Sequence, residues 1–98
     1  MTYLFRWKTG EYAGYISGEV IYDREGKHLG WLGRDGTAWK ADGMFWGEVH
    51  REHYLMRDRA KREPAPRAPR IPPVSRPAPI PPPSRPGMDD LPGWKDVL

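Results

Sequence analysis

The sequence contains no cysteine, and its first 63 residues contain no proline. Without cysteine, the chain can form neither a disulfide framework nor a thiolate metal site. It also lacks a run of about 18 apolar residues, and its first ten residues, MTYLFRWKTG, lack the apolar stretch of a signal peptide. These absences exclude a disulfide scaffold and a helical membrane span. They predict a cytoplasmic protein, with peripheral contact at a membrane surface left open.

Composition divides the chain into three segments. Eleven of the 12 prolines lie between residues 64 and 86, whereas eleven of the 12 aromatic residues precede residue 55. Residues 1–58 carry a net charge of −1, residues 59–86 carry +6, and the last twelve carry −2. We predict a folded domain over 1–58, an arm rich in proline and arginine over 59–87, and a short C-terminal segment over 88–98. Because a folded part of this size is marginally stable alone, self-association as a homo-oligomer is one expectation.

A repeat of seventeen residues runs through the first segment. Its copies begin YLFR at residue 3, VIYD at 20, TAWK at 37 and YLMR at 54. They place a large apolar residue in the same phase each time: Phe5, Tyr22, Trp39 and Met56. The first three copies each carry two glycines four positions apart: Gly10 and Gly14, Gly26 and Gly30, Gly43 and Gly47.

Each copy of the repeat predicts a β-hairpin. A short strand rich in aromatic and β-branched residues leads to a polar turn that ends in glycine, as in KTG, REG and ADG. The second glycine of each pair falls inside the following strand, where it indicates a close approach of backbones, here around a common axis. The fourth copy lacks a second strand, so closure needs seven strands or a strand from elsewhere. The terminal PGWKDVL, with Gly93 and Trp94, resembles LGWL and is a candidate for that return.

The sequence offers little catalytic chemistry. GKHLGWL has neither the Gly-Lys-Ser/Thr of a Walker loop nor the strand–helix context of a Rossmann fingerprint. His50 and His53 in HREH lack the further ligands that a metal needs, and most carboxylates stand in turns, where they are ordinary. We therefore predict a non-enzymatic protein with no catalytic residue, cofactor or metal. An unrecognised hydrolase or metal site is the alternative.

The aromatic residues allow two interpretations. In the first, Phe5, Tyr22 and Trp39 form the core together with Leu29 and Trp46. In the second, Tyr15 and Trp31, which occupy equivalent positions beside the repeat glycines, are exposed and form a ring that faces a partner.

The arm has a composition that favours extended polyproline II structure. Its segment RPAPIPP, from Arg76 to Pro82, fits a basic-x-x-Pro-x-x-Pro ligand through Arg76, Pro79 and Pro82. The arm could act as a rigid basic spacer, as a ligand for a proline-recognising domain, or as an arm that seeks phosphates. Trp94 completes the candidate partner-binding residues.

Repeated hairpins with IYD, GKHLGWL and a following DG, and then a tail that ends in GWKDVL, resemble the bacterial 4-fold beta flower proteins. The resemblance implies an all-β fold, a shallow pseudo-fourfold barrel of β-hairpins, and no established activity. Its outline is similar to Tubby-like and scramblase-like barrels, which raises the expectation of a lipid surface as partner. We expect a binding or assembly module with a protein or lipid-surface partner. The alternatives are nucleic-acid binding through the basic arm and a ligand role toward a proline-recognising domain.

Overall fold

The computed structural model describes residues 1–70 and 78–98, and this part of the chain is all-β, with no helix. It has eight strands: β1 Thr2–Phe5, β2 Tyr12–Ser17, β3 Val20–Asp23, β4 His28–Leu32, β5 Thr37–Lys40, β6 Phe45–His50, β7 Tyr54–Asp58 and β8 Trp94–Asp96. Neighbours in sequence pair antiparallel, and a parallel pairing of β1 with β7 closes seven strands into a barrel. The molecule measures 36 × 35 × 17 Å, which makes the barrel shallow.

The predicted hairpins are confirmed, and the repeat extends to their irregularities. Gly10, Gly26 and Gly43 end the three turns with φ of 74°, 88° and 92°, a conformation that residues with a Cβ adopt reluctantly. In each hairpin the pairing register shifts at the same place, directly before Phe5, Tyr22 or Trp39. Such bulges increase the local twist of a strand, and three of them at equivalent positions bend the sheet evenly into a closed barrel.

The first interpretation of the aromatic residues placed Phe5, Tyr22 and Trp39 in the core. The structure instead places the preceding residue of each copy of the repeat at the centre of the barrel. Four side chains with no exposed surface form an inner ring: Leu4, Ile21, Ala38 and Leu55. They are seventeen residues apart and make the inner cluster with Ile16. Leu29 and Trp46 pack against this cluster and remain partly exposed. Because side chains alternate along a strand, the aromatic residues that follow the ring lie on the outer face.

The second glycine of each pair lies where two neighbouring strands crowd. A Cβ at Gly14, Gly30 or Gly47 would meet a backbone carbonyl oxygen on the next first strand of the repeat. These oxygens belong to Tyr22, Trp39 and Met56. The close approach is therefore between adjacent strands and not across the barrel axis, which corrects the reason given for these glycines.

Strand β8 supplies the second strand of the fourth hairpin. It pairs antiparallel with β7, with Asp58 opposite Trp94 and Met56 opposite Asp96. Beyond β8, Val97 and Leu98 pack against the inner cluster. The Asp96 carboxylate accepts hydrogen bonds from the backbone N–H groups of Trp7, at 3.0 Å, and Leu98, at 3.1 Å. These bonds join the end of the described chain to the segment after β1.

Candidate binding surface on the outer face of the barrel

The outer face of the sheet carries most of the aromatic side chains that the repeat supplies. We call the following set the outer aromatic belt: Tyr3, Phe5, Tyr15, Tyr22, Trp31 and Trp39. Cross-strand pairing aligns its members, with Tyr15 opposite both Tyr3 and Tyr22, and Trp31 opposite Trp39. The rings of Tyr15 and Tyr22 stack with their centroids 5.0 Å apart and an angle of 19° between their planes. The belt thus contains two aligned sets of rings, Tyr3 with Tyr15 and Tyr22, and Trp31 with Trp39.

The arm lies on this belt at the third hairpin, which is formed by β5 and β6. The guanidinium of Arg67 lies over the ring of Trp39, 4.4 Å from its centroid. The backbone N–H of Arg67 donates a 2.8 Å hydrogen bond to the carbonyl oxygen of Gly43. A Cβ at Gly43 would occupy the place of the Arg67 carbonyl oxygen, so this turn glycine permits the arm to approach.

The same contact recurs at the first hairpin, which is formed by β1 and β2. Here the guanidinium of Arg85 lies over the ring of Phe5, 4.5 Å from its centroid. The backbone N–H of Arg85 donates a 2.8 Å hydrogen bond to the carbonyl oxygen of Gly10. A Cβ at Gly10 would collide with the carbonyl oxygen of Arg85. Phe5 and Trp39, and likewise Gly10 and Gly43, hold equivalent positions in the hairpin repeat, so the two contacts are copies of one site.

Further contacts hold the arm between and beside these two sites. The guanidinium of Arg70 lies 5.1 Å from the centroid of the Trp31 ring. After Arg85, the N–H of Met88 donates to the Trp7 carbonyl oxygen at 2.8 Å, and the Trp7 indole N–H donates to the backbone carbonyl oxygen of Asp89 at 2.7 Å. The radius of gyration of 13.1 Å is close to the roughly 13 Å of a compact chain of this length. The described parts of the arm on either side of residues 71–77 therefore lie against the barrel.

The structure brings together some of the predicted partner-binding residues and leaves others apart. Tyr15 is only 4% exposed, so it is not the exposed ring member of the second interpretation, and Trp31 is half-buried beneath Arg70. Pro79 and Pro82 are half-buried. Arg76 lies outside the described residues.

Trp94 lies on β8, and none of the described guanidinium groups lies over its ring. Its ring is 4.7 Å from that of His50, and it packs against the outer cluster that contains Trp7 and Met56. It contributes to the closure of the fourth hairpin, and the cluster that it packs against also contains Phe5 of the belt.

Burial controls the ionisation of two groups on or beside the belt. Desolvation raises the pKa of Tyr15, with a smaller contribution from Tyr22, so the stacked phenol stays neutral. Desolvation lowers the pKa of His28, whose ring is 4.9 Å from that of Trp31, and its Nε2 is buried without a hydrogen-bond partner among the described residues. The belt therefore presents neutral aromatic faces to the cationic arm.

Arg67 and Arg85 were not identified as site residues from the sequence. A signal was present, because Arg67, Arg76 and Arg85 stand nine residues apart. The turn glycines were predicted from the backbone conformation that a tight turn requires. Nothing in their pattern indicated that their carbonyl oxygens would accept hydrogen bonds from the arm. In the tertiary structure, Arg67 and Arg85 contact equivalent residues of two hairpins.

The described residues offer two further concave surfaces beside the arm. One, of about 360 Å³, lies between Trp7, Trp94 and the segment Asp90–Asp96, and the other, of about 520 Å³, is bordered by Arg34, Arg67 and Arg70. Within residues 1–70 and 78–98, no three His, Asp or Glu side chains are grouped so that they could hold a metal ion.

No protein-family model, curated protein or solved structure matches this chain. In the described part of the chain, none of the secondary structure is a helix long and apolar enough to cross a membrane.

Proposed function

We propose that this chain is a non-catalytic binding and assembly module whose outer aromatic belt recognises extended segments rich in proline and arginine. One observation carries the proposal: Arg67 and Arg85 make the same guanidinium–ring and backbone contacts on two equivalent hairpins. In this chain the ligand is its own arm. A partner, or a second copy, that presents the same chemistry would compete for the same surface.

The contacts are of the kind that proline-rich recognition uses elsewhere. A polyproline II segment is already extended, so that binding costs little conformational entropy, and aromatic surfaces receive it. Arginine adds a planar cation that lies flat on an aromatic ring, and such a contact at an exposed site is worth about 0.5–1 kcal/mol. Several weak contacts in register allow a segment to be bound specifically and still exchanged.

Competition between the arm and a free peptide tests this proposal. A fluorescent peptide of residues 64–87 is titrated by anisotropy into the full chain and into the full-length double variant R67A/R85A. Losing two guanidinium–ring contacts weakens the competing arm, so the variant should bind the peptide about 5- to 30-fold more tightly than the unaltered chain does.

The double variant R59A/R62A is the matched control, since it loses the same charge from the arm. Among the described residues, neither Arg59 nor Arg62 stacks on an aromatic ring. The R59A/R62A variant should therefore bind the peptide with the same affinity as the unaltered chain. Equal affinities for the two double variants would refute recognition by the belt.

Binding to a lipid surface or to nucleic acid is the competing proposal, and it rests on the exposed cations that begin the arm, Arg59, Lys61 and Arg62. The same variants are assayed with anionic liposomes and single-stranded oligonucleotides over a salt titration. Binding that is steeply salt-dependent and falls at least as far in R59A/R62A as in R67A/R85A would indicate phosphate contacts. Such a result would favour a phosphate-seeking arm over peptide recognition.

We also propose that this chain is related to the 4-fold beta flower proteins. Four hairpins arranged around one apolar centre support it, with one ring residue from each hairpin. A cytoplasmic location is likewise part of the proposal.

A further inference from the structure

A small cavity lies between the docked arm and strands β4 and β5. Its volume is about 20 Å³, and a water needs at least about 10–15 Å³, so the cavity admits about one oxygen atom. The polar side chains that line it all end in N–H groups: Trp31, Trp39, Lys40, Arg67 and Arg70. Among the described residues that line it, none is acidic. The cavity therefore suits an acceptor that carries negative charge.

The two indoles at the cavity each have an N–H group that needs such an acceptor. Their Nε1 atoms are buried and have no hydrogen-bond partner among the described residues. Buried polar groups are almost always paired, because an unpaired one has lost its bond to water and gained none in return. The indoles of Trp7 and Trp46 show the usual arrangement, since they donate to the carbonyl oxygens of Asp89 at 2.7 Å and Val97 at 3.3 Å.

The two guanidinium groups at the cavity can supply charge to the same acceptor. Arg67 lies 4.4 Å from the centroid of the Trp39 ring, and Arg70 lies 5.1 Å from that of Trp31. Such stacking uses the flat face of the group, whereas its N–H groups lie in the plane and match the oxygens of a phosphate or carboxylate. In the part of the chain that the structure describes, no carboxylate lies within 4.0 Å of either guanidinium.

The cavity opens onto the concave surface of about 520 Å³, which is within the size range of small-ligand pockets. The two share four lining residues: Leu32, Gly33, Arg67 and Arg70. The outer surface adds Arg34 and two carboxylates, Glu19 and Asp35. The Asp35 carboxylate accepts the backbone N–H of Thr37 at 3.0 Å, a bond that lowers the pKa of this carboxyl group and keeps it ionised. Positive charge is thus concentrated at the cavity and is offset farther out.

We propose that the cavity and its rim bind the phosphate group of a small phosphate ester. One phosphate oxygen enters the cavity and accepts from the N–H groups of Trp31 and Trp39. The other oxygens accept from Arg67 and Arg70 at the rim, and the ester group lies on the concave surface outside. Three cations exceed the charge of a single carboxylate, and a tetrahedral phosphate has enough oxygens for donors from both sides.

The site is composite, because the barrel supplies the indoles and the arm supplies the guanidinium groups. It therefore forms only while the arm is docked. The equivalent contact on the first hairpin cannot form it, since Phe5 beneath Arg85 has no N–H group. The inference goes beyond the proposed function, because it uses the docked arm and needs no partner that competes with it. The peptide titration uses no phosphate ester, so either result can fail without the other.

The indole N–H signals in NMR spectra of the full chain test the site directly. Inorganic phosphate and glycerol phosphate are titrated against chloride of equal ionic strength. We expect the signals of Trp31 and Trp39 to move downfield and saturate, while those of Trp7 and Trp46, which already have acceptors, stay in place. Unmoved signals of Trp31 and Trp39, or equal movement of all five indoles, would overturn the site.

Two further probes test the chemical class of the ligand. Acetate should move these signals far less than phosphate does, and an equal response to acetate would overturn the assignment to phosphate. Vesicles of phosphatidylcholine and phosphatidic acid should not bind more tightly than glycerol phosphate. Binding to the vesicles without any response to glycerol phosphate would overturn a small ester in favour of a membrane headgroup.

Variants separate phosphate binding from docking of the arm. Trp39→Phe keeps a ring for Arg67, as Phe5 does for Arg85, but removes one N–H group. It should bind phosphate about 3- to 10-fold more weakly. Arg70→Ala should bind at least about 10-fold more weakly, because hydrogen bonds to charged groups are the strong ones. Arg62→Ala is the matched control, and equal affinities in R70A and R62A would contradict the site.

Proteolysis provides a readout that does not depend on the indoles. A ligand that binds only the docked form should slow tryptic cleavage after Arg67, by about 10-fold at ten times its Kd. The effect should be present in the unaltered chain and in R62A, and it should be lost at the same phosphate concentration in R70A. A cleavage rate that phosphate leaves unchanged in the unaltered chain would overturn the arm's part in the site.

Discussion

Replacing Gly43 by alanine should release the arm from the third hairpin while leaving the barrel folded. The substitution has two consequences. Alanine is strained at a φ of 92°, and its Cβ would meet the carbonyl oxygen of Arg67. Gly36→Ala is the matched control. Gly36 has a φ of 84°, but a Cβ there has nothing within 4 Å, so it shares the strain without the collision.

The two consequences differ in size and can be separated by subtraction. A left-handed alanine costs about 1–2 kcal/mol, and both variants should lose that much stability. Only Gly43→Ala should also lose the hydrogen bond from Arg67, worth about 0.5–1.5 kcal/mol, and the cation–π contact with Trp39, worth about 0.5–1 kcal/mol. The difference between the variants should therefore be about 1–2.5 kcal/mol.

Limited proteolysis measures the release of the arm. Trypsin can cleave the Arg67–Ala68 bond, whereas the prolines after Arg76 and Arg85 protect those bonds chemically. If docking protects the bond by about 1–2.5 kcal/mol, Gly43→Ala should accelerate its cleavage about 5- to 70-fold, as followed by mass spectrometry. Gly36→Ala should change the rate little. Equal cleavage rates in the two variants would show that the arm does not depend on the turn glycine and would refute the docking geometry.

Two further predictions concern the barrel. Gly30→Val should lower the melting temperature by at least about 12 °C, because the valine side chain collides with the Trp39 carbonyl oxygen and must disrupt the β4–β5 ladder at a cost of about 3 kcal/mol or more. Gly33→Ala is the control: the nearest neighbour of its Cβ is a side-chain oxygen at 3.1 Å, so its melting temperature should change little. Equal melting temperatures for the two variants would contradict the crowding at Gly30. Because burial lowers the pKa of His28, its protonation opposes folding, and stability should fall as the pH drops below about 6.5. In His28→Phe, the denaturation midpoint should depend less on pH in this range. An unchanged pH dependence would mean that other groups cause it.

Much of the architecture was predictable from the sequence because it repeats. A seventeen-residue period with a turn glycine and an in-strand glycine predicts hairpins, and the hairpins are where the period places them. The face of each residue was harder to predict. Tyr22 and Ile21 are both apolar, β-compatible and buried, so composition does not tell which faces the barrel axis. The bulges set the register, and they become visible only when the strands are paired.

The binding surface was less predictable, because it depends on contacts between distant parts of the chain. Local pattern favours an extended arm but does not say where it lies. Arg85 is eighty residues from Phe5 in sequence, and the two meet only in the tertiary structure, where the Arg85 N–H also donates a hydrogen bond to the Gly10 carbonyl oxygen.

The sequence by itself determined the all-β class and the hairpin period, because both are properties of neighbouring residues. Tertiary structure alone decided that the inner ring begins at Leu4, that the belt faces outward, and that Arg67 and Arg85 cover it. Those outcomes depend on closure of the sheet. Closure assigns an inside and an outside to strands that are otherwise apolar on both faces.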